Sequence, residues 1–241
     1  MLMARGQMVR RLDARTAGSL GLPCEAVRAI MRPALAPCSE FEGTCRDSMR
    51  WAPEQGHIPR GCCGALAGAE DVRVIMVVAE PGDPHPDEHY PAAATPDDYL
   101  ARCTAHAFRC FAHGRDRYHA NARAFLDLCF PGMAFSEQLR HAWITESCLC
   151  SAAKECGHVP AGVAQRCAER YLAPQLRLFR GAAVVAFGAK AQARLRALGI
   201  ACIDAGALAP PGCNRQEARQ SWAAAAARVQ ECGWRNTAAK R

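Results

Sequence analysis

Lysine and long apolar runs are both scarce in this chain of 241 residues. Only three of its thirty basic residues are lysines, Lys154, Lys190 and Lys240, so arginine carries almost all of the positive charge behind the formal net charge of +7. Guanidinium groups pair well with phosphate oxygens, which favours a polyanionic partner such as DNA, although a GC-rich coding sequence would explain the same composition. No run is apolar enough to cross a bilayer, and MLMARGQMVRRLDARTAGS lacks the apolar core of a signal peptide. We therefore expect a cytoplasmic protein with no membrane partner.

Nucleotide-binding fingerprints are missing as well. The apolar run AAVVAF is followed by a single glycine, Gly188, and then by AKAQA, so no G-x-G-x-x-G turn is present. No P-loop occurs either. These absences argue against a nucleotide cofactor.

Cysteine, in contrast, is abundant, with fifteen residues. In a reducing compartment such thiols stay free, so the number favours metal or iron-sulfur ligation over a disulfide scaffold. Cys103, Cys110 and Cys129 fall at helical positions and are predicted to be ordinary small core residues.

Apolar runs and helical patterns alternate along the chain. VRVIMVVA (72–79) and AAVVAF (182–187) predict central strands covered on both faces, and AWIT (142–145) and GIACI (199–203) predict two more. Helical patterns cover 97–113, 118–129, 162–179, 190–198 and 216–232, after a short helix near 25–31. This order predicts an α/β fold of three layers, α/β/α, around a central four-stranded parallel sheet.

The length and apolar content suit one globular unit. We expect an irregular, cysteine-containing segment over 1–70, packed on a main α/β domain over 71–235. Ligands of open parallel sheets bind beyond the carboxyl ends of the strands. The loops 80–90, 146–157 and 204–215 are therefore predicted to converge on one site.

Two stretches carry a resemblance to a known family. The strand and loop ITESCLC (144–150) match a central Ile-Thr-Asn-Ala-Val-Lys-Cys pattern, and Cys167 precedes Tyr-Leu and Gln-Leu pairs as a second cysteine does in that pattern. With VVAFGAKA (184–191), these residues resemble the iron-sulfur branch of the uracil-DNA glycosylase superfamily over roughly residues 70–225. The resemblance implies the fold of that superfamily.

It also implies a four-iron, four-sulfur (4Fe-4S) cluster held by two N-terminal and two central cysteines. Cys150 and Cys167 match the central pair. Cys38 and Cys45, in CSEFEGTC, are our choice for the N-terminal pair, although the family's pair is usually closer together.

Other cysteines leave alternatives open. The N-terminal ligands can instead come from Cys24, Cys62 and Cys63. A rival zinc site can be built from Cys148, Cys150 and Cys156, because tetrahedral thiolate zinc tolerates that spacing.

The family's first catalytic motif, Gly-Glu-Ala-Pro-Gly, corresponds here to AEPGD. Its carboxylate matches Glu80, and Asp83 is a second candidate. A carboxylate beside the anomeric carbon can align water and stabilise the cationic sugar that forms as an N-glycosidic bond breaks. For Asp83, capping of loop amides is an equally good explanation.

The family's second motif, a His-Pro-Ser loop, corresponds to APPGCNR, with Ala209 in place of the histidine. The loop keeps its rigid, DNA-entering character, and its last residue can contact a phosphate. The residues predicted to contact DNA are Pro210, Pro211, Gly212, Asn214 and Arg215. His85 and His89, in the Glu80 loop, are candidates to replace the missing imidazole.

The most informative departure is Glu146, where the family has an asparagine that reads the pyrimidine edge. An ionised carboxylate only accepts hydrogen bonds, which suits the exocyclic amine of cytosine, and a protonated one can supply a proton to N3. An N-cap or an arginine partner is the structural alternative for this residue. A flipped base also needs a stacking aromatic, for which Tyr118, Tyr90 and Phe111 are candidates.

Together these features predict a monofunctional DNA glycosylase that releases a non-standard, cytosine-derived base and leaves an abasic site. A Schiff-base mechanism is disfavoured, since Lys154 is the only lysine expected nearby. Base-excision repair and defence against phage with modified DNA are both compatible roles. A uracil-DNA glycosylase, a non-catalytic iron-sulfur protein that binds nucleic acid, and a zinc-dependent hydrolase are the alternatives.

Overall fold

A five-stranded mixed sheet forms the centre of the protein in the computed structural model, which describes residues 21–233. The strands are β1 (Cys63–Gly64), β2 (Val74–Val78), β3 (Ala142–Glu146), β4 (Ala183–Phe187) and β5 (Ile203–Ala205). Their order across the sheet is β1-β3-β2-β4-β5. Strands β3, β2, β4 and β5 pair in parallel, and β1 pairs with β3 in antiparallel fashion.

The predicted α/β class is confirmed, but the sheet is not the four-stranded, all-parallel one expected. The added edge strand β1 is two residues long, and a strand that short has no period for a sequence to reveal. The fourth predicted strand, over 199–203, is displaced to Ile203–Ala205. Gly199 and Ile200 instead close the preceding helix, donating to Arg196 O and Leu195 O at 2.9 and 3.0 Å.

The helices are α1 (Glu25–Met31), α2 (Pro96–His113), α3 (Arg117–Cys129), α4 (Phe135–His141), α5 (Ala161–Cys167), α6 (Ala173–Leu178), α7 (Ala189–Ala197) and α8 (Gln216–Gly233). Helix α4 was not predicted. A π-helical stretch, Ala168–Leu172, separates α5 from α6 within the predicted helix 162–179. Short 3₁₀ turns occupy Arg32–Leu35, Pro53–Gln55, Ala69–Asp71 and Gly212–Asn214. No helix within the described part of the chain is long and apolar enough to cross a membrane.

The two faces of the sheet are both covered. Because strand side chains alternate, Met76 and Ile144 project to one face, where they pack with residues of α3 and α8; we call this the α3 face. Ile75 and Trp143 project to the opposite face and pack with residues of α1. This alternation places Glu146, two residues after Ile144, on the α3 face.

Tight caps fix the two helices that border the site. Thr95 and Asp98 form a capping box at the start of α2, and Gly114 ends that helix in the left-handed conformation. Asp116 begins α3 by accepting a hydrogen bond from the amide of His119 at 3.0 Å. Only three residues therefore separate α2 from α3. The predictions that concern residues 1–20 and 234–241, including Lys240, lie outside the described residues.

Candidate functional site

Four cysteines predicted to act together line one cavity: Cys38, Cys45, Cys150 and Cys167. The first two lie in the turn-rich segment 36–48, the third follows β3, and the last ends α5. The walls surround about 420 Å³ of atom-free space, part of it open to solvent. The structure thus brings together thiols that are far apart in sequence.

Neighbouring groups already donate to these sulfur atoms. The amide of Leu149 donates to Sγ of Cys167 at 3.4 Å, and the hydroxyl of Tyr171 donates to Sγ of Cys38 at 3.1 Å. Burial raises the pKa of Cys45 to about 11. Burial, reinforced by the Cys167 charge, also raises the pKa of Cys150. Because the pKa values of Cys45 and Cys150 are raised, a metal bound in this cavity would have to displace the protons of these two thiols.

The alternative cysteines lie elsewhere, with one exception. Cys148 lines the same cavity, but Cys156 does not and is exposed. None of Cys24, Cys62 and Cys63 lines it either. Within residues 21–233, no three thiols lie within 4.8 Å of one another.

A buried carboxyl group marks the carboxyl end of the sheet. Glu146 is the last residue of β3, pairs with Val78 at the end of β2, and is 4% exposed. Its Oε2 is buried and has no hydrogen-bond partner among the described residues. Burial, and then the negative charge of Glu80, raise its pKa to about 8, against the opposing effect of two arginines. Glu146 is therefore mostly neutral at pH 7, and neither alternative role, N-cap or arginine partner, describes its contacts.

Glu80 has a different environment. Nη2 of Arg194 lies 2.6 Å from its Oε2, and Nζ of Lys190 contacts its Oε1. Both cations lie on α7, directly after β4. The expectation that Lys154 is the only lysine near the site was wrong, because the helix that follows Gly188 turns Lys190 toward the Glu80 loop. The position of Lys190 three residues beyond a predicted strand was the available signal.

Asp83 is less suited to catalysis. Its carboxylate is exposed and lies 3.2 Å from Nη1 of Arg50. Its amide donates to Glu155 at 3.4 Å. These contacts fit a role in shaping the loop.

Of the three candidate aromatics, the structure brings only Tyr118 to the site. Tyr90 is buried in the cluster on the opposite face and donates to Oε1 of Glu88 at 2.7 Å, and Phe111 is fully buried in the core. Tyr118 is partly buried on the α3 face, and its hydroxyl has no hydrogen-bond partner in the described residues. Burial, and then the charge of the nearby Glu146, raise the pKa of Tyr118.

Two of the three predicted loops meet. Buried Arg60 donates to Gly82 O at 2.5 Å and to Ser151 Oγ at 3.2 Å, linking the loops after β2 and β3. Ser147 Oγ donates to Ala79 O at 2.7 Å. The site therefore has a rigid floor of backbone and buried side chains.

The third loop meets α3 beside Tyr118. Nη1 of Arg117 donates to Oδ1 of Asn214 at 2.5 Å, and the Pro210–Pro211 bond is cis. Arg215 and Arg219 line the same open, polar cavity, together with Arg117, Asn121, Cys213, Asn214 and Gln216. Arg117 is one of the arginines beside Tyr118 in GRDRYHANAR that the sequence favours for phosphate contacts, whereas Arg219 was not predicted, because only the fold brings α8 to this loop.

The two histidine candidates separate. His89 is exposed, whereas His85 turns toward α3, with Nε2 at 3.3 Å from Oδ2 of Asp116. His85 also lies close to Cys110 and His119, a second group that can bind a metal.

These side chains are the basis for assigning a function, since no protein-family model and no curated protein matches the chain. The buried carboxyl of Glu146 has the ion-paired carboxylate of Glu80 and the side chain of Tyr118 as neighbours at the carboxyl end of the sheet. Such a set suits acid-base chemistry on a ligand whose planar ring can stack.

Proposed function

We propose that this protein is a DNA glycosylase, similar to the iron-sulfur branch of the uracil-DNA glycosylase superfamily, which hydrolyses the N-glycosidic bond of a flipped-out, cytosine-derived base. The observation that carries the proposal is Glu146 at the carboxyl end of β3, a buried carboxyl with a pKa of about 8 and an oxygen without a hydrogen-bond partner among the described residues. Burial of an acid whose oxygen lacks a hydrogen-bond partner is costly to the fold. Its cost is explained if a substrate uses it.

The substrate class follows from what the leaving base needs. A neutral carboxyl has one donor and one acceptor, so Glu146 can pair with the N3 and 4-amino edge of cytosine or with the N3 and O4 edge of uracil. Hydrogen bonding alone therefore does not choose between them. Uracil departs as a stabilised anion without a proton, whereas cytosine departs poorly unless N3 is protonated. A neutral acid at Glu146 supplies that proton and so favours cytosine derivatives.

Glu80 takes the other role. Arg194 and Lys190 hold its carboxylate in place, and a fixed carboxylate can orient water and stabilise positive charge on the sugar. In the proposed reaction the bond from C1′ to the base breaks, the proton of Glu146 moves to the base, water attacks C1′, and Glu80 accepts the water proton. Transfer through solvent then restores both carboxyl groups.

DNA would be held by the arginines near the third loop. Arg117, Arg215 and Arg219 surround an open cavity beside Tyr118, and guanidinium groups suit phosphate oxygens. Tyr118 would stack on the extruded base.

The thiol cavity fits a 4Fe-4S cluster better than one zinc ion. A tetrahedral zinc site with metal-sulfur bonds of about 2.3 Å needs sulfur atoms about 3.8 Å apart, and no three described thiols come within 4.8 Å of one another. A cubane binds each thiolate through a different iron atom, which allows wider spacing. Cys38, Cys45, Cys150 and Cys167 would hold the cluster, which when bound would cross-link segment 36–48 to the loop after β3.

The decisive experiment compares wild type with Glu146→Gln on oligonucleotides that contain uracil, cytosine and bulky 5-substituted cytosines. A glutamine amide still offers a donor and an acceptor but cannot give up a proton. We expect release of the cytosine derivative to fall at least about 100-fold, the usual scale of general acid catalysis, while any uracil release persists. Glu231→Gln, on an exposed part of α8, is the matched control.

Other outcomes would assign the alternatives. Equal losses on both bases would contradict proton donation by Glu146, and release of uracil alone would indicate a repair enzyme. Release of a bulky modified cytosine would favour defence against phage DNA. DNA binding without any abasic product would identify a non-catalytic protein, the outcome that Ala209 in place of the family's histidine would explain.

A further inference from the structure

A second group of metal-ligand side chains lies on the α3 face, apart from the thiol cavity. It combines His85 from the loop after β2, Cys110 from α2 and His119 from the first turn of α3. One ligand atom from each of the three lies within 4.8 Å of the others. Three separate segments of the chain therefore supply donors to one point.

The two imidazoles share a carboxylate neighbour. Oδ2 of Asp116 lies 3.3 Å from Nε2 of His85, and Oδ1 lies 2.9 Å from Nδ1 of His119. Metal-binding histidines commonly have a carboxylate beside the ring, which fixes the ring orientation and tautomer. Asp116 is itself fixed as the N-cap of α3.

The contact with Asp116 indicates which nitrogen of His119 could bind a metal. Nδ1 of His119 is buried and lies beside the carboxylate, so Nε2 is the ring nitrogen left for a metal ion. A third imidazole lies next to the group: Nε2 of His106 is 3.3 Å from Sγ of Cys110 and 3.7 Å from Oε2 of Glu88.

We propose that His85, Cys110 and His119 bind one divalent transition-metal ion, with zinc as the ion that best fits two imidazoles and a thiolate. Three protein ligands leave the fourth tetrahedral position to water or to His106. Zinc binding displaces the thiol proton of Cys110 to solvent. This site shares no residue with the thiol cavity and does not depend on the glycosylase proposal.

Its position indicates what the ion does. The ring of His119 lies 4.7 Å from that of Phe111 and 5.0 Å from that of Tyr118, measured between centroids. The metal would therefore tie the loop that carries Glu80 to the two helices that support Tyr118. The ion would thus hold the Glu80 loop in position relative to Tyr118.

Zinc and iron are measured per chain in the purified full-length protein, and zinc affinity is measured by competition with a chromophoric chelator. We expect one zinc in wild type, at least tenfold weaker binding in His119→Gln and Cys110→Ser, and unchanged iron. Cys129→Ser, a buried cysteine of α3 outside the group, is the control. Added zinc should raise the Tm of wild type and of the control only, because a ligand stabilises the state that binds it.

His85→Gln, on a loop, tests the site without changing either helix, in case a helix variant misfolds. Zinc that persists at wild-type affinity in a folded His85→Gln protein would overturn the proposal. So would zinc that disappears in Cys150→Ser while the His119→Gln protein keeps it, or wild-type protein that binds no zinc when titrated.

Discussion

Replacing Glu146 by glutamine should make the protein more stable, and increasingly so as the pH rises. Burial and the charge of Glu80 raise the pKa of this carboxyl from its ordinary 4.5 to about 8. Between these two values the unfolded chain loses the proton and the folded chain keeps it, so folding stability falls with rising pH. The loss begins near pH 4.5 and levels off above pH 8.

The magnitude follows from the two pKa values. At about 1.4 kcal/mol per tenfold change in proton affinity, the group costs about 1.4 kcal/mol at pH 5.5, about 3.3 at pH 7 and about 4.6 at pH 8.5. Glutamine has no proton to lose and nearly the same shape. The advantage of Glu146→Gln over wild type should therefore grow by about 3 kcal/mol between pH 5.5 and 8.5.

Urea unfolding at these three pH values, followed by circular dichroism, measures the difference. Titrating groups elsewhere in the chain are common to both proteins, so their contributions cancel. The exposed-site control Glu231→Gln should differ from wild type by a constant amount. If the Glu146→Gln advantage were also constant across the three pH values, the carboxyl would not be held neutral by its surroundings, and the proposed proton donor would be lost with it.

Three further changes test other parts of the site. Cys150→Ser should remove the iron and the visible absorption, while Cys156→Ser, at an exposed thiol outside the cavity, should keep both; equal iron in the two variants would refute the ligand set. If the guanidinium of Arg219 binds one DNA phosphate, Arg219→Ala should reduce the magnitude of the slope of log affinity against log salt concentration by about 1. Fluorescence anisotropy titrations with DNA measure this slope, and an unchanged slope would exclude the contact. Gly61→Ala should destabilise the protein by more than about 1 kcal/mol, because φ is +86° and a Cβ would lie 2.5 Å from Oε1 of Glu146; a Tm equal to wild type would show that the pocket wall yields.

Local sequence signals predicted the elements that have a strong period or a clear stop. The runs at β2 and β4 are almost wholly apolar because both sheet faces are covered. Helices α2 and α3 have regular helical patterns, in which cysteines occupy some of the buried positions. The resemblance predicted Cys150 and Cys167 as ligands, and the compact stretch CSEFEGTC predicted Cys38 and Cys45. The structure gathers those four, and the resemblance itself stays a prediction.

Long-range contacts account for what was missed. Strand β1 is defined by its pairing with β3, and helix α4 (FSEQLRH) buries Phe135 and Leu139 in the core. Neither contact can be read from the local sequence. Cys110 was predicted to be an ordinary core thiol, and it is buried, but its Sγ faces His106. No spacing along the chain indicates that His85, Cys110 and His119 meet, since each belongs to a different segment.

The two carboxyl groups at the carboxyl end of the sheet have distinct environments. Glu80 follows β2 and forms ion pairs with two cations, whereas Glu146, the last residue of β3, has a buried oxygen and no ion pair among the described residues. The fold would be more stable if Arg194 formed an ion pair with Glu146, or if an apolar residue replaced Glu146. The cations instead lie on Glu80, whose negative charge helps to keep the proton on Glu146. One carboxylate and one carboxylic acid at the same pH are the pair of groups that breaking a glycosidic bond to a poor leaving group requires.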